Sequence, residues 1–180
     1  GTLLHQAVEK HRAGALDAAI ELYREVLKSG ALSDDDIAET EARRLLGAAL
    51  QEQGRAAEAI DVLHAVTPLT SDSVLGHATL GDAHRALDQL DRAIAHFRRL
   101  VELAPDIIDA QINLGVCLQE TGDVTGAIAR YRVALEIDPN SGAAATNLGL
   151  ALLETGDVDG AVAPLERGVA LDSGALNGLG

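Results

Sequence analysis

The chain has 180 residues and a formal net charge of −14, with 47% hydrophobic residues but only 2% aromatic ones. This acidic balance argues against a nucleic-acid-binding protein, because a polyanion is repelled and no basic run is longer than Arg98-Arg99. The single cysteine, Cys117, excludes an intrachain disulfide framework, and no apolar run approaches the roughly 18 residues that a membrane-spanning helix needs.

Residues 1–33 predict the first pair of helices, in the stretch "HQAVEKHRAGALDAAIELYREVL". Gly14 is placed to turn the chain between the two helices, because glycine tolerates the left-handed conformation at a helix end. Ala19, Ile20 and Tyr23 then begin an apolar face with helical spacing.

An insert at residues 34–39 separates this pair from the rest of the chain. Ser33 and Asp36 predict a capping box there, because their side chains can satisfy free backbone groups at a helix start. The sequence therefore predicts a lengthened helix from Asp34 to Gln53.

From residue 40 onward, the sequence repeats at a period of 34 residues without a gap. The aligned columns are Leu46, Leu80, Leu114 and Leu148; Gly47, Gly81, Gly115 and Gly149; Ala49, Ala83, Cys117 and Ala151; Ala59, Ala93, Ala127 and Ala161; and Leu63, Phe97, Tyr131 and Leu165. Such a period indicates stacked structural repeats, each of which buries one face only by packing on the next.

The third repeat shows how each copy divides into two helices. Apolar positions from Asp109 to Glu120 predict the first helix, and Gly122 supplies the turn. Asp123 can cap the second helix, and Pro139 stops it. We expect the small residues of the columns to lie where the two helices cross, with the large residue of the second helix filling the space beside the glycine.

These columns resemble the tetratricopeptide repeat, in which a leucine-glycine pair, a later alanine, an aromatic residue and a proline recur over 34 residues. Leu114-Gly115, Ala127, Tyr131 and Pro139 match that pattern. The aromatic residue usual near the start of each repeat is replaced by Arg43, His77, Gln111 and Ala145. Gly168 replaces a late alanine, and this replacement predicts a looser last repeat.

The resemblance implies an all-α fold, a right-handed superhelical solenoid of about five helix-turn-helix pairs that forms a single array over residues 1–180. The predicted repeats are 1–33, 40–73, 74–107, 108–141 and 142–175, with residues 176–180 as the start of a capping helix or of a truncated repeat.

The resemblance also implies a concave groove, lined by the first helix of each pair, that binds protein or peptide. The predicted groove residues are Arg44, Asp82, Arg85, Ile112, Asn113, Val116, Gln119, Asn147 and Leu150. This mixture of apolar, amide and charged side chains suits an extended or helical peptide.

Asn113 and Asn147 share one phase of the repeat. Asparagines at this phase grip peptide backbone in the similar repeats of protein O-linked N-acetylglucosamine transferases, and an amide can both donate and accept. Hydrogen bonds from these asparagines to a neighbouring helix or loop are the alternative.

No catalytic, metal-binding or cofactor-binding pattern is found in the sequence. His77 and His84 lie two turns apart on one helix, about 10 Å, which is too far to share a metal. His84 falls in a leucine column and is expected to be semi-buried with a hydrogen-bond partner, and Cys117 shares its column with alanines.

We therefore expect a non-enzymatic scaffold that binds a partner protein or peptide without a cofactor, and neither nucleic acid nor membrane. One alternative is the substrate-recognition arm of a larger enzyme, such as a glycosyltransferase. The other is a self-assembling scaffold that associates through the ends of the array, because terminal repeats expose apolar surface unless they are capped.

Overall fold

The computed structural model describes residues 2–28, 36–64 and 73–177. Within these ranges the chain forms ten α-helices and no strand, which confirms the predicted all-α class. The helices are α1 (Leu3–Arg12), α2 (Leu16–Lys28), α3 (Asp36–Glu52), α4 (Ala56–His64), α5 (Val74–Ala86), α6 (Leu90–Leu103), α7 (Ile108–Glu120), α8 (Val124–Ile137), α9 (Gly142–Glu154) and α10 (Val158–Asn177).

The chain divides into two compact units, an N-terminal unit of Gly1–His96 and a C-terminal unit of Phe97–Gly180. In the N-terminal unit, each of the helices α1 to α4 packs against the next one, and α5 contacts both α3 and α4. In the C-terminal unit, α7, α8, α9 and α10 pack in sequence in the same way. The single continuous array with the repeat boundaries given above stays a prediction.

The repeated columns form the cores of both units. The alanines of the later column, Ala59, Ala93, Ala127 and Ala161, are completely buried, as is Cys117 in its alanine column. Leu46, Leu80, Leu114 and Leu148 are at most 6% exposed. Small residues at fixed intervals therefore bring neighbouring helices close enough for the leucines to be removed from water.

The glycine column lies where paired helices cross, as predicted. A Cβ atom added at Gly115 would lie 2.5 Å from Cε1 of Tyr131 on α8. At Gly149 the added atom would lie 2.5 Å from Cγ of Leu165, and at Gly47 it would lie 2.8 Å from Cγ of Leu63. The large residue of the second helix thus occupies the volume that a side chain at the glycine would need.

The turns within the pairs also follow the sequence. Gly14, Gly54, Gly122 and Gly156 have φ between 72° and 89°, and Asp88 takes the same left-handed conformation at 57°. Asp123 accepts a hydrogen bond from the Gly126 backbone N–H at 2.9 Å and so caps α8.

Three sequence expectations stay untested, fall outside the described residues or differ from the structure. Gly168 is buried, and an added Cβ would clash with Oγ1 of Thr146, so the packing at this residue is close. A looser last repeat stays a prediction. Helix α3 begins at Asp36, and Ser33, the other half of the expected capping box, lies outside the described residues. Helix α10 continues to Asn177, beyond residue 175, where the last repeat is predicted to end.

In the repeat at residues 108–141, a buried, hydrogen-bonded amide stands where the family usually has an aromatic residue. Gln111 is 1% exposed, and its Nε2 donates to the carbonyl oxygen of Pro105 at 2.9 Å. Arg130 donates from Nη1 to Gln111 Oε1 at 3.3 Å. The polar side chain is tolerated because both ends of its amide have partners.

Candidate functional site

Four of the predicted groove residues lie together in one cavity of the C-terminal unit, with a volume of about 320 Å³. We call this cavity the α7–α9 groove. It is lined by Val116, Gln119 and Glu120 of α7, Tyr131 of α8, and Asn147, Leu150 and Glu154 of α9. Val116, Gln119, Asn147 and Leu150 are the residues that the sequence predicted.

A chain of hydrogen bonds crosses this groove. The buried Tyr131 donates from its hydroxyl to Oε1 of Gln119 at 3.1 Å. Gln119 in turn donates from Nε2 to Oε2 of Glu154 at 2.7 Å. Because both ends of the Gln119 amide are engaged, its orientation is fixed and it holds the Glu154 carboxylate at the edge of the groove.

The groove is electrostatically negative. Burial, followed by the nearby Glu120, Cys117 and Glu154, raises the pKa of Tyr131 to about 12. The tyrosine therefore stays protonated at neutral pH and continues to donate to Gln119.

The other predicted groove residues lie elsewhere. Ile112 and Asn113 are on α7 but are not among the residues that line this cavity. Arg44, Asp82 and Arg85 belong to the N-terminal unit, where Arg44 donates from Nε to Glu41 at 2.9 Å.

The N-terminal unit contains a groove built in the same way, with a volume of about 360 Å³. We call it the α1–α3 groove, and its lining residues are Val8, His11, Arg12, Tyr23, Leu45 and Glu52. His11 Nδ1 lies 3.2 Å from the Tyr23 hydroxyl, and His11 Nε2 lies 3.1 Å from Oε1 of Glu52. A carboxylate only accepts, so the hydrogen of this contact lies on Nε2 of His11.

Tyr23-His11-Glu52 and Tyr131-Gln119-Glu154 are thus equivalent arrangements. In each, the tyrosine follows its polar partner by 12 residues. Gln51 precedes Leu63 by the same interval, but leucine has no hydroxyl, and the buried Oε1 of Gln51 has no hydrogen-bond partner among the described residues.

Sequence reasoning missed the polar role of Tyr131 and the contribution of Glu120 and Glu154. The sequence predicts Tyr131 only as a large core residue and assigns no role to the two glutamates. Their signal is the 34-residue interval that places both glutamates at the C-terminal end of a first helix.

A second polar cluster, which we call the histidine cluster, lies in the N-terminal unit. It consists of His64 on α4, His77 and His84 on α5, and His96 on α6. His84 stacks on His96 with ring centroids 5.3 Å apart and an interplanar angle of 8°, and His64 meets His84 edge-on. His77 Nδ1 lies 3.1 Å from His96 Nδ1.

Two histidines of the cluster, His84 and His96, are shifted toward the neutral form. Burial and then His77, His84 and His64 lower the pKa of His96 to about 4, and burial is the main cause that lowers the pKa of His84. Nδ1 of His84 lies 2.9 Å from Gln89 Oε1, which is the partner expected from its column, and at 1% exposed the side chain is more deeply buried than the semi-buried position expected.

The residues that the structure describes, 2–28, 36–64 and 73–177, form neither a metal-binding cluster nor a membrane-spanning helix. No group of three or more histidine, cysteine or acidic side chains is arranged to hold a metal ion. In the same ranges, no helix combines the length and the apolar character needed to cross a bilayer.

Solved structures of MamA resemble the fold of this chain. A crystal structure of MamA is 26% identical, with a TM-score of 0.83 over 95% of this chain and 96% of that one. A second crystal structure of the MamA protein is 26% identical, with a TM-score of 0.82 over 95% and 90% of the two chains. MamA from residue 41 to its end, from Desulfovibrio magneticus RS-1, is 19% identical, with a TM-score of 0.83 and 97% of each chain covered.

Sequence comparison gives the family. No curated protein matches the chain significantly. One model of the tetratricopeptide repeat matches residues 6–73 and 79–142, and a second matches residues 120–175. These matches cover well over half of the sequence and coincide with the helix pairs described above, so the chain belongs to the tetratricopeptide repeat family.

Proposed function

We propose that this protein is a non-enzymatic interaction scaffold that binds a peptide segment of a partner protein in the α7–α9 groove. Membership of the tetratricopeptide repeat family supports a general role in protein interaction. The observation that carries the finer proposal is the cavity itself, in which apolar and amide side chains from two first helices converge.

The lining of the groove suits a peptide better than a small apolar ligand. Leu150 is 49% exposed, so apolar surface is available to a partner side chain. Asn147 lies one helical turn from Leu150 in the same cavity, and its amide can both donate to and accept from a peptide backbone. Side-chain and main-chain recognition are therefore available side by side.

The test is to pan a random peptide library against the full chain and to measure the recovered peptides by fluorescence anisotropy. Leu150→Gln removes apolar groove surface, and Leu153→Gln is the matched control, because Leu153 lies on the same helix, is 42% exposed and does not line the groove. We expect Leu150→Gln to weaken binding about tenfold, as loss of one apolar contact predicts.

Equal loss of binding in the two variants, or no loss in either, would contradict the assignment of the groove. Because both leucines are exposed, neither substitution is expected to unfold the chain, and circular dichroism of each variant checks this.

Self-association is a second candidate function, favoured by an exposed apolar stripe on α10. Val158, Val162 and Val169 are 60%, 49% and 65% exposed, and their spacing of four and seven residues places them on one helix face. Light scattering over a concentration series tests this candidate. A mass that rises with concentration in the wild type and stays monomeric in Val162→Lys supports it, and a monomer at every concentration rejects it.

A further inference from the structure

We propose that the α7–α9 groove selects a peptide that inserts a lysine or arginine side chain between Glu120 and Glu154. This inference deepens the proposed function and rests on it, because it names the chemistry of the partner for that same groove.

The charges of the lining residues point to a cationic ligand. Glu120 and Glu154 are both exposed carboxylates, and no lysine, arginine or histidine lines the groove. Among the described residues, neither glutamate forms an ion pair, and the hydrogen-bond partner of Glu154 is the neutral amide of Gln119. An acidic side chain entering here would be repelled, and an apolar one would desolvate a carboxylate without compensation.

This negative character is not shared by a second cavity of the same unit. Another cavity of the C-terminal unit, lined in part by α8, has two arginines, Arg98 and Arg130, beside one carboxylate, Glu102. Arg130 is turned toward Gln111, to which it donates. Arg98 and Arg130 therefore line a different cavity from the carboxylates of the α7–α9 groove.

The apolar residues match the rest of a lysine or arginine side chain. Val116 and Leu150 line the same cavity as the two glutamates, and Leu150 is half exposed. Lysine and arginine have aliphatic stems that pack on apolar surface while the charged end reaches a polar group. The groove offers an apolar surface for the aliphatic stem beside carboxylates for the charged end, whereas a purely acidic patch offers only the carboxylates.

The hydrogen-bond chain fixes the polarity of the groove. Tyr131 donates to Gln119, and Gln119 donates to Glu154, so the Tyr131 hydroxyl and one N–H of Gln119 are already engaged within the groove. Glu154 still has acceptor capacity, because a carboxylate has two oxygens and about four acceptor sites. The raised pKa of Tyr131, to which Glu120 and Glu154 contribute after burial, reports the same negative field.

The experiment compares two charge variants of the full chain. Glu120→Gln with Glu154→Gln removes the groove carboxylates and keeps their shape. Glu136→Gln with Glu166→Gln is the matched control, because these glutamates are exposed, lie in the same unit and are outside the described cavities. Peptides from the random library are synthesised with each lysine or arginine in turn replaced by glutamine, and their affinities are measured by fluorescence anisotropy.

We expect the recovered peptides to share one basic position. Replacing that position with glutamine should weaken binding to the wild type at least about fivefold. Added salt should reduce this difference in affinity between the basic and the glutamine peptide. The groove variant should bind the basic and the glutamine peptides equally, and the control variant should keep the wild-type preference.

Two outcomes would overturn the inference, and they are distinguishable. Peptides that depend on Leu150 but show no basic preference would leave the proposed function standing and remove the lysine or arginine site. An absence of peptides that depend on Leu150 would remove both. The peptide substitutions are measured on the wild-type chain, so they decide the question even if the groove variant folds poorly.

Discussion

At the scale of single residues, the glycine at a helix crossing has a packing role that outweighs its poor helix propensity. An added methyl group at Gly115 would lie within 2.5 Å of the ring of Tyr131. Alanine in place of glycine normally stabilises a helix by about 1 kcal/mol. At this site we expect Gly115→Ala to lower the free energy of unfolding by about 1–3 kcal/mol, because the buried ring cannot move aside without disturbing the core.

Urea unfolding followed by circular dichroism measures this change. The control is a double-mutant cycle, in which Gly115→Ala is also made in a Tyr131→Ala background that lacks the clashing ring. Gly115→Ala should then have no cost or should stabilise, and an equal cost in both backgrounds would show that the clash with Tyr131 is not its cause.

The unpartnered oxygen of Gln51 gives a second prediction at this scale. Tyr131 satisfies Gln119, whereas Leu63, in the corresponding position, offers no donor to Gln51. We expect Leu63→Tyr to supply that donor and to be more stable than Leu63→Phe by about 0.5–1.5 kcal/mol, since the two variants differ only in the hydroxyl group. Thermal and urea unfolding of the pair measure the difference, and equal stability would contradict the expected hydrogen bond.

At the scale of helices, the histidine cluster ties the packing of α4, α5 and α6 to pH. The pKa of His96 is about 4 in the folded chain, below its ordinary value of 6.5. As the pH falls from about 6.5 to about 4, the unfolded chain takes up a proton that the folded chain does not, so stability falls over this window. The full shift corresponds to about 3 kcal/mol, which partial exposure to solvent reduces to about 1–2 kcal/mol.

Urea unfolding at a series of pH values tests this in wild type and in His96→Gln. The variant lacks the ionisable ring, so its stability should fall less between pH 6.5 and 4. His5→Gln is the control, because His5 is exposed and outside the cluster. If the wild type and His96→Gln have parallel pH profiles, His96 does not cause the loss of stability in this window.

At the scale of the whole molecule, the net charge of −14 governs which polymers can approach. Fourteen basic residues are outnumbered by 28 acidic ones, and several arginines are paired with glutamates on their own helix, such as Arg43 with Glu39. We expect no binding of double-stranded DNA even at low salt, measured by fluorescence anisotropy, because phosphate neutralisation needs clustered cations. Salt-dependent binding of DNA would contradict this expectation.

The sequence by itself determined the repeat, the helix pairs and the packing columns. Each of the four repeats from residue 40 onward places a leucine, a glycine and an alanine in the same columns, so the packing requirement appears at a constant interval within one chain. The turn residues Gly54, Gly122 and Gly156 were predictable for the same reason, since few residues accept a positive φ at low cost.

The tertiary structure alone decided which polar residues meet. Val116, Gln119, Asn147 and Leu150 were named from helix phase, but phase also named Ile112 and Asn113, which do not line the cavity. A helical face is wider than a groove, and which part of it faces a cavity depends on how the neighbouring helices cross.

The histidine cluster shows the same limit. His77 and His84 share one helix and could be related from sequence, but His64 and His96 come from two other helices. Likewise, Tyr131 serves as a core residue and as a hydrogen-bond donor, and only its distance to Gln119 assigns the second role. The packing residues recur in each repeat, so their pattern is visible in the sequence. Contacts between unlike polar residues, such as those of the histidine cluster, do not recur and therefore give no periodic pattern.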